Sequence, residues 1–171
     1  MKYVMVMSLF FVHLAWSSFM REVGVNFSPV FYSDFVSYGG SVQVFWWKAM
    51  TNLTFGNSLE YQGSAVDSLF LHHLSLLAGG RYQLPIGGNF LFMSQIDTGP
   101  GYTLGQITSF QKNLFHWFLD MKVGIRGSLF SLGKMPLFVN ISCGYEMYWI
   151  PSLENLLIRG VSFSVAVSVV F

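Results

Sequence analysis

Charge is scarce in this chain: 10% of its 171 residues are Asp, Glu, Lys or Arg, against about 25% in ordinary water-soluble domains. With 53% of the residues apolar, so little charge excludes water as the main solvent of the molecular surface. The formal net charge is +1, without the basic stripe that nucleic-acid binding requires, so nucleic acid is not an expected partner. Cysteine occurs once, as Cys143, which excludes an internal disulfide. Long apolar runs are missing too. A spanning helix needs roughly 18 or more consecutive apolar residues, and only the first sixteen positions approach that, which excludes a bundle of membrane helices.

What is present suits strands. Glycine numbers 17, Phe 18, Trp 5 and Tyr 8, a mixture fitted to pleated walls and interfacial aromatic belts. The N-terminus has the layout of an export signal: Lys2, an uncharged stretch from Tyr3 to Leu14, then Ala15-Trp16-Ser17 with small residues two apart. Residues 1–18 are therefore expected to be a cleaved signal peptide, cut near Ser17 or Ser18, leaving residues 19–171 as one mature unit. The competing reading is a first wall strand. Against it, Val4, Val6, Phe10 and Val12 on one parity and Met5, Met7, Leu9 and Phe11 on the other are all apolar, whereas a strand with lipid on one side alternates.

That alternation is plain at the other end. Val161, Phe163, Val165, Val167, Val169 and Phe171 share one face, with Ser162, Ser164, Ala166 and Ser168 on the other. The same period marks Leu137 to Trp149 and Phe115 to Ile125. Working back predicts strands at 22–32, 41–48, 53–61, 71–84, 90–98, 113–130, 136–150 and 157–171: an all-β, closed antiparallel transmembrane barrel of about eight strands, an even number as single-chain bacterial barrels require. Short connections at 49–52, 85–89 and 131–135 are assigned to the periplasm, longer ones at 33–40, 62–70, 99–112 and 151–156 to the outside. Gly99-Pro100-Gly101 is expected to open the longest outer loop, because proline cannot donate to a ladder.

The charges fit this map. Glu22, Glu60, Arg81, Asp97, Asp120, Lys122, Arg126 and Glu146 take lumen parity and are expected to form an interior charge network. Pairing residues 130 and 136 across the last short turn would set Asp120 opposite Glu146, where two carboxylates repel. Lys122 lies diagonally near, and Arg81 and Arg126 are expected to add compensating cations. Arg159 shares parity with lipid-facing Val161 and must sit high enough to reach headgroups, since a mid-bilayer Arg costs about 2–4 kcal/mol. Lipid-parity aromatics gather toward two rims: Phe31, Tyr61, Trp117 and Trp149 outside, Trp46, Tyr82 and Phe171 toward the periplasm.

The ending, with Phe163, Val165, Val167, Val169 and a terminal Phe171, resembles the assembly signal of Gram-negative outer-membrane proteins. Together with the signal peptide and strand pattern it is similar to the small OmpA-, OmpX- and OmpW-like barrels. The resemblance implies outer-membrane location in a diderm bacterium, export through the Sec translocon, insertion by the barrel-assembly machinery, and surrounding outer-membrane lipid.

The outer ends of several strands carry Val30, Tyr32, Leu71, Tyr148 and Ile150 at lumen parity, a candidate apolar mouth. In OmpW-like barrels such a mouth is linked to small hydrophobic solutes; packing under the loops is the alternative. His72-His73 with Ser75 is similar to the His and Ser of lipid A deacylases, but no acid is placed by the spacing, so no catalytic residue is assigned. Adjacent histidines on a strand face opposite ways, so no metal site is expected, and no cofactor. His116 and Cys143 are read as wall residues. The leading expectation is a structural or surface barrel, or a narrow channel for small, even hydrophobic, solutes; a lipid-modifying enzyme is the alternative.

Overall fold

A computed structural model describes residues 22–66, 69–107, 110–152 and 156–171. The segment read as a signal peptide lies outside the described residues. Eight strands follow in chain order: β1 (Glu22–Tyr32), β2 (Val36–Met50), β3 (Leu53–Val66), β4 (Leu69–Gly87), β5 (Phe90–Ile107), β6 (Phe110–Leu132), β7 (Met135–Ile150) and β8 (Leu156–Val170). Each pairs antiparallel with its neighbours, and β1 pairs with β8 to close the cylinder.

The alternation in the sequence explains the closure. Along β8 the residues Gly160, Ser162, Ser164, Ala166 and Ser168 are buried, while Val161, Phe163, Val165 and Val167 between them are exposed. A soluble fold would bury the second set; here the apolar face is the outside and the polar face the inside, the inversion expected of a wall standing in hydrocarbon. The rim aromatics Phe31, Tyr61, Trp117, Trp149, Trp46, Tyr82 and Phe171 are all exposed on that outer face. Cys143 is there as well.

Three connections, at 51–52, 88–89 and 133–134, define one end of the cylinder, here the turn end. Gly88 and Gly133 adopt φ of 57° and 65°, the left-handed backbone that two-residue hairpins demand and that glycine takes without strain. The opposite end, the loop end, differs from expectation. Residues 36–40, 62–66, 99–107 and 110–112, read as loop, continue the strands. These stretches include Tyr38-Gly39-Gly40 and Gln62-Gly63-Ser64, which lack the apolar alternation used to trace the wall, and the ladder is carried upward by its neighbours.

Gly99-Pro100-Gly101 lies within β5. Pro100 faces outward and stays paired to Trp117 of β6, whereas the ladder to β4 steps from Ser75–Gly101 to Ala78–Thr98. Proline's missing N–H is accommodated by losing rungs on one side only. Pro29 behaves alike: it pairs with Tyr38 of β2, while the rungs to β8 step from Phe27–Val165 to Val30–Ser162.

Candidate functional site

With the outer wall apolar, the chemistry of the chain is gathered in the lumen. All eight predicted lumen charges are buried there, from Glu146 at 0% exposure to Glu22 and Glu60 at 5%. They form two separate groups rather than one network.

Near the turn end, the Glu22 carboxylate accepts from Arg81 through Oε2 and from Arg126 Nη1 through Oε1, the latter at 2.7 Å. Each guanidinium also lies over an aromatic ring, Arg81 3.8 Å from the centroid of Phe45 and Arg126 4.0 Å from that of Phe138. One carboxylate thus holds two cations, and two rings cover them. Arg81 and Arg126 thus both make their ion pairs with Glu22, and neither pairs directly with Asp120 or Glu146, the acids the sequence had suggested they offset. On β6, Arg126 stands four residues closer to the turn end than Lys122.

The second group occupies the middle. Asp97, Asp120 and Glu146 stand side by side on β5, β6 and β7, flanked in the same row by Gly79 and Gly160. The Asp120–Glu146 register is as expected, although the turn is not: Phe130 pairs with Leu137 and Ser131 with Pro136, and a bulge at Leu129 restores the alignment. Lys122 forms an ion pair with Asp120. A residue that the sequence did not single out, Gln62, donates from Nε2 to Glu60 at 2.8 Å and to Glu146 at 2.6 Å. Its Oε1 accepts from the Tyr32 hydroxyl at 3.3 Å. A neutral amide therefore ties together two carboxylates contributed by strands far apart in sequence.

Toward the loop end the lining becomes aromatic. Tyr148, Phe118 and Leu77 pack as a buried cluster against Tyr32 and Ile158. Of the residues assigned to an apolar mouth, Val30, Tyr148 and Ile150 are fully buried, and Tyr32 and Leu71 half-buried. Tyr148 is part of a packed plug, with ring centroids 4.5 Å from Phe118 and 4.8 Å from His73. The interior of an eight-stranded barrel is only wide enough for side chains to fill, which turns an expected vestibule into core.

Beside Tyr148 lies an arrangement that the sequence did not suggest. Ser75 Oγ and His116 Nε2 are 2.9 Å apart; His116 Nδ1 is 3.0 Å from Thr103 Oγ1, itself 2.8 Å from His73 Nδ1. Ser75 and His116 face each other across Gly101 of the intervening strand, and a Cβ at Gly101 would collide with both side chains. His116 is thus a wall residue of β6 that faces the lumen and meets Ser75 there. The group in contact with its second nitrogen is a hydroxyl, not a carboxylate, and Ser75 is 2% exposed. His72, on the opposite parity, bonds through Nδ1 to the Tyr61 hydroxyl at 2.7 Å on the outer face.

No family model matches this chain, and no curated protein does. Solved structures do. Neisserial surface protein A aligns with TM-score 0.57 at 14% identity, over 91% of this chain and 98% of that one. The N-terminal β-barrel domain of OprF from Pseudomonas aeruginosa aligns at 0.54 and 13%, over 88% and 98%. The outer-membrane enzyme PagL aligns at 0.53 and 16%, over 85% and 97%. The fold is that of the small outer-membrane barrels.

Within that fold the remaining assignments are spatially simple. Phe163, Val165, Val167, Val169 and Phe171 line the outer face of β8 and its end. Arg159 is exposed on the outer face, paired with Met147 two rungs below Trp149–Leu157 at the loop end of the barrel. Among the described residues no group of three or more His, Cys, Asp or Glu is arranged to hold a metal ion.

Proposed function

We propose that the chain is an integral barrel of the outer membrane of a diderm bacterium, exported by the Sec route and inserted by the barrel-assembly machinery, with a structural or cell-surface role rather than bulk transport. One observation carries this reading: side chains obstruct the lumen at two levels, the Glu22–Arg81–Arg126 group with Phe45 and Phe138 at one, the Leu77–Phe118–Tyr148 cluster at the other. Roomy hollows lie instead on the lipid side, such as one of about 660 Å³ lined by Trp46, Ala78 and Ile96. Planar-bilayer recording tests the reading. Quiet traces for the wild type are expected, and steady conductance steps that shift with Asp120→Asn would replace it with a narrow polar channel.

A second reading is favoured by the 2.9 Å contact between Ser75 and His116: a lipid-modifying hydrolase. It requires substrate to enter the lumen from the loop end, because Ser75 faces away from the surrounding lipid. Mass spectrometry of lipid A from cells expressing the wild type and Ser75→Ala decides it, with identical spectra expected.

A further inference from the structure

Between the two obstructed levels the lumen is not quite full. A small void is bounded by Asn26, Asn140, Lys122 and Ala166, with Gln43, Met93, Gln95 and the Ser142–Ser164 pair completing its wall. It leaves about 10 Å³ for the centre of a water molecule, room for one and no more. Its position follows from the register: Ala166 of β8 stands between Asn140 of β7 and Asn26 of β1 in a single row, and the short methyl separates two longer amides.

The residues around the void carry groups suited to one occupant. Asn26 Oδ1 and Asn140 Oδ1 have no hydrogen-bond partner among the described residues, and both residues are 4% exposed. Lys122, also 4% exposed, has three donors and among the described residues ion-pairs with Asp120 alone. Two orphaned acceptors and an under-used donor each cost free energy if left so. An anion would be repelled by the two amide oxygens, and a metal cation by the ammonium. A molecule that accepts once and donates twice satisfies all three.

We propose that a single long-lived water occupies this void, accepting from Lys122 and donating to Asn26 and Asn140. It keeps the one cation of the middle lumen hydrated in a place cut off from bulk solvent at both ends. The ¹⁵N-labelled chain, refolded in detergent micelles, tests this through water–protein NOE and ROE cross-peaks to the side-chain amides of Asn26 and Asn140. Cross-peaks with the sign of a long-lived water are expected at both amides, and both should vanish in Ala166→Val, whose added methyls fill the void. Should that variant not fold, Ala166→Ser places a hydroxyl where the water would sit and should weaken both peaks. Absence of the peaks in the wild type, or their persistence unchanged in Ala166→Val, would overturn the proposal.

Discussion

The two ends of the lumen are closed by different means. Toward the loop end the seal is Tyr148, Phe118 and Leu77, with the His73, Thr103, His116 and Ser75 chain beside it. Toward the turn end it is two guanidiniums on one carboxylate beneath two aromatic rings. The first depends on shape and the second on charge compensation. They should therefore fail differently: a packed cluster loses free energy in proportion to the volume removed, whereas a buried ion group fails abruptly when one partner leaves its counter-charges stranded.

The sharpest way to break the comparison is Glu22→Ala. It leaves Arg81 and Arg126 buried without a carboxylate, and the expected cost is about 3–5 kcal/mol, read as a lowered urea midpoint of the refolded barrel. If the triple change Glu22→Leu, Arg81→Met, Arg126→Met does not recover most of that loss, the turn-end seal is not governed by charge compensation. Tyr148→Ala at the other end should cost about 3 kcal/mol through the cavity it leaves. It should leave bilayer traces quiet, because the ion group still closes the lumen; only the double change with Glu22→Ala is expected to conduct. Smaller again is Gly101→Ala, which forces Ser75 and His116 apart at about 1–3 kcal/mol by overpacking and should shift the His116 imidazole resonances while leaving those of His72 in place. The smallest effect is expected outside the lumen. Arg159→Leu should change stability by no more than about 1 kcal/mol, because an interfacial Arg is nearly neutral; a gain of 2 kcal/mol or more would mean that Arg159 lies inside the hydrocarbon layer.

How much of this was legible in the sequence depends on which residues are asked. The outer face of β8 and the lumen parity of the eight interior charges followed from a period of two, because lipid and interior impose opposite demands on successive residues. Strand ends were less legible. The rule that proline breaks a ladder holds for Pro100 on one side only, and glycines at lumen parity, such as Gly99 and Gly101, signalled crowding inside the barrel rather than a loop. The Asp120–Glu146 alignment emerged from a turn pairing that was off by one, and the Leu129 bulge cancelled the error. Partners across the lumen were not legible at all. Gln62 meets Glu146 over 84 positions of chain, and Ser75 meets His116 over 41; no local period reports such distances. The one available signal was Gly101, whose missing side chain makes room for the Ser75–His116 contact.

The step in the rungs at Pro29 falls on the pairing of β1 with β8, the joint that turns a curved sheet into a cylinder. A closed hoop is as strong as its weakest joint, and this one has missing rungs near its middle. Amide exchange in β1 and β8 should accordingly outpace that in the long β5–β6 hairpin. When the barrel is strained around its circumference, it should part along this line, as a barrel of wood does between its first stave and its last.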